Sequence, residues 1–261
     1  MHLPIVSDPK TKQLSIIVPA YNEESTLGIT VTEILSIAPK ILDTYEVIIV
    51  NDGSTDDTAI TADYLAQQHS CVSVIHQPTN RGVGAAYIAG LGAAQYEYLT
   101  LVPGDNAFNA AGIEALFKAV GTAELLVSYR SNMKVRTPLR HFLSIACTLS
   151  MQLLTGRPIR DAHSLYVYPV ALARQIKVNP GYGYHIESLS KMLLRAESYK
   201  EVQVWLNPRP DESSGVMKPR VIFSLIATML RQFVERFRNF ISRRPTEKVV
   251  EKSQRKVKVM K

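Results

Sequence analysis

The sequence predicts an α/β protein built on one mostly parallel sheet. Short apolar runs rich in β-branched residues alternate with helix-like segments from residue 13 to residue 102. Polar clusters follow those runs instead of interrupting them. A chain of 261 residues with 46% apolar side chains is also long enough for one large domain with a core on each face of a sheet. Strand, helix, strand repetition implies right-handed crossovers, helices on both faces, and ligands beyond the carboxyl ends of the strands.

LSIIVPA (14–20) reads as the first strand, closed by Tyr21-Asn22-Glu23-Glu24, with a helix over 25–38 capped by Ser25 or Asn22. YEVIIVNDGS (45–54) is a second strand ending at Asn51-Asp52-Gly53, and Thr55-Asp56-Asp57 opens a helix to about residue 68, Asp56 being its expected cap. CVSVIHQ (71–77), GVGAAYIAGLGAAQ (82–95) and YEYLTLV (96–102) follow as strand, small-residue helix and strand. The second half is less regular. ELLVSYR (124–130), HSLYVY (163–168) and EVQVWLNP (201–208) read as strands, and 138–155, 184–196 and 219–241 as helices. In the last of these, Ile222, Ile226, Met229, Leu230, Phe233, Phe237 and Phe240 recur at helical spacing, and Arg231, Arg236 and Arg238 lie off the stripe.

The net charge of +7 is concentrated: eight Lys or Arg and two Glu lie between Arg243 and Lys261, leaving the rest of the chain near neutral. That distribution argues against a nucleic-acid-binding surface and for a solubilising, disordered tail or an attraction to anionic lipid. Cys71 and Cys147 are the only cysteines, which excludes a disulfide framework and points to a reducing compartment. The first residues carry no secretory apolar core, and no run of 18 apolar residues occurs, so at most peripheral membrane contact is expected. RGVGAAYIAG has Tyr87 where a dinucleotide fingerprint requires its third glycine; a phosphate-binding G-x-x-x-x-G-K-[ST] loop and a G-x-S-x-G elbow are both missing.

PAYNEE (19–24), VNDGSTDDT (50–58), NRGVGAAYIAG (80–90) and PGDNAF (103–108) occur in this order at natural spacing. Together they resemble the inverting GT-A glycosyltransferases of family 2, most of all the polyprenyl-phosphate sugar transferase branch that includes dolichyl-phosphate mannose synthases. The resemblance covers about residues 13–218, the expected catalytic domain; 1–12 is then an extension, 219–242 an amphipathic helix and 243–261 the basic tail. It implies a nucleotide-diphosphate-sugar donor bound by Pro19, Tyr21, Glu23, Asp52, Arg81 and Gly82. Asp105 corresponds to the second Asp of the family's D-x-D and implies Mg²⁺ or Mn²⁺; Pro103 stands at the first Asp and Ala107 at a common Gln ligand. Arg130, Asp161 and Glu187 are the further catalytic candidates, and Arg140, Arg209, Ser214 and Lys218 the acceptor-phosphate candidates. Helix packing explains Gly82 and Gly84 equally well, and a helix-terminal charge or a turn explains Glu23 and Asp52.

The implied activity is sugar transfer to a polyprenyl phosphate at the cytosolic membrane face, with an integral membrane partner or a second copy as further partners. Two rivals stay open: transfer to a soluble or glycan hydroxyl, which needs a base such as Asp161 or Glu187, and a degenerate domain that binds without turnover.

Overall fold

The computed structural model describes residues 11–132, 138–181, 183–208 and 219–242, with the side chains of 138–140, 219–222 and 239–242 excepted. Seven strands form one sheet in the order β3-β2-β1-β4-β6-β5-β7. They are β1 (Gln13–Ala20), β2 (Thr44–Asn51), β3 (Val72–His76), β4 (Tyr98–Leu101), β5 (Leu125–Arg130), β6 (Tyr166–Pro169) and β7 (Tyr199–Val204). Every pairing is parallel except those of β6, which runs antiparallel to both β4 and β5. The mostly parallel sheet expected from the sequence is therefore present, with one reversed strand that the sequence did not announce.

Alternate residues of the central strands feed two separate cores, as the two-residue period of a strand requires. Leu14, Ile16, Val18, Val47 and Ile49 pack on one face against α1 (Leu27–Ile37), α2 (Thr58–Gln68) and α4 (Ala110–Lys118). Ile17, Ile48 and Val50 pack on the other against α3 (Val83–Ala93), α5 (Pro138–Thr155), α6 (Val170–Arg174) and α7 (Tyr184–Arg195). The last helix, α8 (Pro219–Ser242), adds Leu225 and Met229 to this second core.

Several local expectations shift. The N-cap of α1 is Thr26, without a side-chain cap bond, and not Ser25 or Asn22. The N-cap of α2 is Asp57, without a side-chain cap bond, and not Asp56, which accepts from the Thr58 amide at 3.1 Å and the Glu24 amide at 3.3 Å and so joins two loops. β6 starts at Tyr166, later than read, and β7 starts at Tyr199, two residues earlier. Two helices, α4 and α6, were not anticipated; α4 is capped by Asn109, whose side chain accepts from the Gly112 amide.

The glycines of α3 divide by cause. Gly82, just before the helix, has φ +86°, a conformation glycine adopts at no steric cost, and open space around its missing side chain. A Cβ on Gly84 would lie 2.5 Å from the Pro180 carbonyl oxygen, and one on Gly90 would lie 2.7 Å from Ile17 Cδ1. Small residues thus let α3 approach both β1 and the segment leading into α7. Gly84→Ala is expected to destabilise the fold by about 1–3 kcal/mol, because backbone must move. Urea unfolding measures it, and an unchanged midpoint contradicts the close approach.

Candidate active site

Strand direction decides which side chains meet. β1, β2, β4 and β5 end at the same edge, which brings Glu23, Asp52, Asp105 and Arg130 there. Because β6 is reversed, the residues that precede it, Asp161 to Leu165, also lie at that edge.

The first two loops are laced together by backbone–side-chain bonds. Asn22, at φ 55°, accepts from the Thr55 amide at 2.9 Å, and its own amide donates to Ser54 Oγ at 3.1 Å. The Glu23 amide donates to Thr58 Oγ1 at 2.7 Å, and the Glu23 carboxylate accepts from Thr26 Oγ1 at 2.8 Å. Asp52 is buried, and its two oxygens accept from the Arg81 and Gly82 amides at 2.8 and 2.7 Å. Asp52 therefore holds the loop that contains Arg81 and starts α3, while the Arg81 side chain stays exposed. Tyr21 is exposed beside them, and the Pro19 carbonyl accepts from the Gly104 amide at 3.1 Å.

Asp105 follows β4 in a tight turn. Its Oδ1 accepts from the Ala107 amide at 3.1 Å, and the next residue, Asn106, has φ 50°. Asn207, just past β7, steadies the turn by donating to the Asn106 carbonyl and Oδ1, both at 3.0 Å. Among the described residues, no group of three or more His, Cys, Asp or Glu side chains could hold a metal ion. A cation here fits only as Mg²⁺ commonly binds, through one carboxylate with phosphate and water completing its shell.

Arg130 and Asp161 form a buried, two-pronged ion pair: Nε to Oδ2 at 2.5 Å and a terminal guanidinium nitrogen to Oδ1 at 2.7 Å. The His163 amide donates to Oδ1 at 2.9 Å and the Arg130 amide to Oδ2 at 3.3 Å. Burial alone pushes the Asp161 carboxyl up, but the Arg130 hydrogen bonds and charge outweigh it and hold the group below the usual carboxylate range.

Glu187 lies one turn into α7, fully buried, and is equally committed. It accepts from Asn179 Nδ2 at 3.0 Å, pairs with Lys191 Nζ at 2.6 Å and with the Arg231 guanidinium at 2.9 Å. Burial pushes its pKa up, but hydrogen bonds from Lys191 and Asn179 and the Lys191 charge outweigh that and leave it depressed. Its carboxylate thus ties α7 to α8. Arg140 sits in the first turn of α5, with its side chain outside the described portion; Arg209, Ser214 and Lys218 lie outside the described residues.

The sequence reading missed a cleft of about 140 Å³ beside the Asp105 turn, lined by Leu101, Pro103, His163, Tyr166, Tyr184 and His185 among others. Nothing local marks His185; its one clue is its place two residues before Glu187.

Breaking the Arg130–Asp161 pair should be costly. Arg130→Met is expected to lose about 3–5 kcal/mol in urea unfolding, since it leaves a buried carboxylate alone. Because the Asp161 pKa is depressed by folding, its stabilisation is present above the unfolded value, about 3.9, and is lost as pH falls through the folded one. Asp161→Asn should flatten stability against pH in that acidic window; an unaltered slope contradicts the assignment.

Residues 15–163 match the family model described as glycosyl transferase family 2. A dolichyl-phosphate beta-glucosyltransferase of Trichomonas vaginalis is 34% identical over 171 residues, 60% of this chain and 53% of that protein. An undecaprenyl-phosphate mannosyltransferase of Micrococcus luteus is 30% identical over 183 residues, 66% of this chain and 74% of that protein. The chain spans about half the length of several of the curated relatives it matches and 39% of the human dolichyl-phosphate beta-glucosyltransferase. Among solved structures, the glucosyl-3-phosphoglycerate synthase of Mycobacterium tuberculosis in complex with UDP superposes with a TM-score of 0.68 at 20% identity, over 85% of this chain and 80% of that one. The same enzyme has been solved with Mn²⁺, UDP-glucose and phosphoglyceric acid. At that identity the likeness speaks for the fold alone, but the family model covers more than half of the chain, and the chain belongs to glycosyl transferase family 2.

Proposed function

We propose that this protein transfers a sugar from a nucleoside-diphosphate donor to the phosphate of a polyprenyl phosphate, with inversion at the anomeric carbon. The observation that carries the choice of acceptor is the state of the two carboxylates named as bases. Asp161 and Glu187 are both paired with cations, both hydrogen-bonded to further donors and both depressed in pKa. Neither suits removal of a proton from a sugar or glycan hydroxyl. A phosphate acceptor is already an anion and needs no base. The names of the relatives from Trichomonas and Micrococcus, which act on dolichyl and undecaprenyl phosphates, support the same choice.

In the reaction, an acceptor phosphate oxygen attacks the anomeric carbon. The bond from that carbon to the donor's terminal phosphate oxygen breaks, and its electron pair leaves with the diphosphate. Glu23, Asp52 and the Arg81–Gly82 loop would bind the nucleoside end, and Arg130, held by Asp161, would lend positive potential where phosphates gather. Mg²⁺ or Mn²⁺, brought with the donor and reached by Asp105, would neutralise the departing diphosphate. Arg140, Arg209, Ser214 and Lys218 remain the proposed contacts to the acceptor phosphate.

A lipid acceptor also accounts for the surface. Among the described residues, no helix is long and apolar enough to cross a membrane. The two neighbouring helices α5 and α8 instead turn apolar stripes outward: Phe142, Ile145, Leu149 and Leu153 on one, Phe223, Ile226, Leu230, Val234 and Phe237 on the other. On α8 the inward face sets Leu225 and Met229 beside the buried Thr228 and Gln232, the last only 4% exposed, while Phe223 is 72% exposed. A helix that shows a stripe of large apolar side chains outside, with the exposed Arg231, Arg236 and Arg238 beside it, is suited to the headgroup region of a bilayer. The cationic residues of 243–261 would add attraction to an anionic cytosolic leaflet, about 1 kcal/mol for each that reaches it.

Incubation with labelled nucleotide-sugars and polyprenyl phosphate should move label into the organic phase. Asp105→Ala should slow this on the order of 100-fold; label confined to an aqueous glycan would overturn the acceptor assignment. In flotation with anionic vesicles, Leu230→Glu with Phe237→Glu should release the protein while its fold persists. Undiminished flotation would remove α8 from the membrane account.

A further inference from the structure

The N-D-G turn after β2 is gripped from both faces of the sheet. Successive side chains of a strand point to opposite faces. Asp52 takes the α3 side, where its oxygens hold the Arg81 and Gly82 amides. Asn51, only 4% exposed, takes the α2 side. Its Oδ1 accepts from the Ser54 amide at 3.1 Å, and its Nδ2 lies 3.0 Å from Nδ1 of His76, the last residue of the edge strand β3. The other ring nitrogen, Nε2, lies 3.0 Å from Asp63 Oδ1 on α2. Asp63, His76 and Asn51 thus form one chain that ends on the turn.

Each proton in this chain has a single place. The Ser54 amide can only donate, so the Asn51 oxygen faces it and the Asn51 amide nitrogen faces His76. Nδ1 is then a bare acceptor, and the ring proton sits on Nε2 and is donated to Asp63. A proton on Nδ1 would set two donors face to face across 3.0 Å.

Resting on the transferase reading above, we propose that His76 is a positioning residue for the donor: through Asn51 it fixes the turn that carries Asp52, and with it the Arg81–Gly82 loop at the nucleoside end. The turn has no slack to absorb the loss of this grip. A Cβ on Gly53 would lie 2.5 Å from the Thr79 carbonyl carbon, so the turn is pressed on the segment that leads to Arg81. Ser54 Oγ accepts from the Asn22 amide at 3.1 Å, which carries the constraint into the loop of Glu23. Without His76, the buried Asn51 amide would lose the acceptor that orients it. The His76 side chain is itself 41% exposed and belongs to neither core, so its contribution runs through Asn51 and not through packing.

Two substitutions separate the ring nitrogens. His76→Asn puts an acceptor oxygen near the place of Nδ1 and gives up the Asp63 contact. His76→Gln puts an amide near the place of Nε2 and gives up the acceptor. Affinity for nucleoside diphosphates is measured by calorimetry, and KM for the nucleotide-sugar and for polyprenyl phosphate in turnover. His76→Gln should weaken nucleoside diphosphate binding and raise the donor KM about 3- to 10-fold, with kcat and the acceptor KM unchanged. His76→Asn should stay within about twofold of wild type in all of these. The nitrogen NMR signals of the wild-type ring, assigned by their disappearance in His76→Asn, should show hydrogen on Nε2 alone. Equal losses in both variants, no loss in His76→Gln, a loss confined to kcat or to urea stability, or a ring protonated on Nδ1 would overturn the proposal. A wild type that binds no nucleoside diphosphate would instead overturn the transferase reading, and this role of His76 with it.

Discussion

The buried pair of Arg130 and Asp161 is the joint on which the site depends. Arg130 ends β5, and Asp161 belongs to the segment that enters β6, the one strand that runs against its neighbours. Without the reversal, that segment would lie at the opposite edge of the sheet. Without the pair, two charges would lie buried with nothing to offset the cost of leaving water. Two side-chain bonds and two backbone amides satisfy the carboxylate, so the geometry is rigid and the group is spent. A residue that resemblance offers as catalytic becomes, by its own contacts, a positioning group.

The same economy of contacts runs through α7. Its first residues, Tyr184 and His185, close the cleft, and the Gly183 before them leaves room for Thr228, whose Oγ1 would lie 2.2 Å from a side chain there. One turn on, Glu187 grips Arg231 of α8 and the Asn179 segment, which α3 also touches through Gly84. The helix that presents its apolar stripe outward is thereby bolted to the helix that shapes the cleft. Proximity of the two is a consequence of packing alone; under the proposed function it would place a lipid-borne phosphate near the edge proposed to bind the donor.

Much of this was legible in the sequence where the signal was local. The strands of the first half announce themselves by apolar runs that end in polar turns, and β1, β4 and the carboxyl half of β2 are buried on both faces, as in any covered parallel sheet, while the edge strand β3 is not. The N-D-G turn at Asp52 was visible. That its carboxylate would grip amides about thirty residues away was not, because no local pattern encodes a partner so distant. The direction of β6 was equally hidden, since a four-residue strand reads the same in either direction. In α8 the stripe was legible but its orientation was not: periodicity shows that a helix has two faces and says nothing of which one its own domain covers. Glu187 was found by resemblance, and its partners on α8 and in the 179–180 segment only by structure.

Phosphate attack on the anomeric carbon, with no enzyme nucleophile between, is the central claim, and the configuration of the product tests it most directly. With an α-linked nucleotide-sugar as donor, a single displacement yields a β-linked glycosyl phosphate, which the anomeric proton and carbon couplings in the NMR spectrum distinguish. The account predicts the β-linked product alone. An α-linked product would contradict it, since retention requires a second displacement or a different trajectory at the edge shared by Asp105, Arg130 and Asp161.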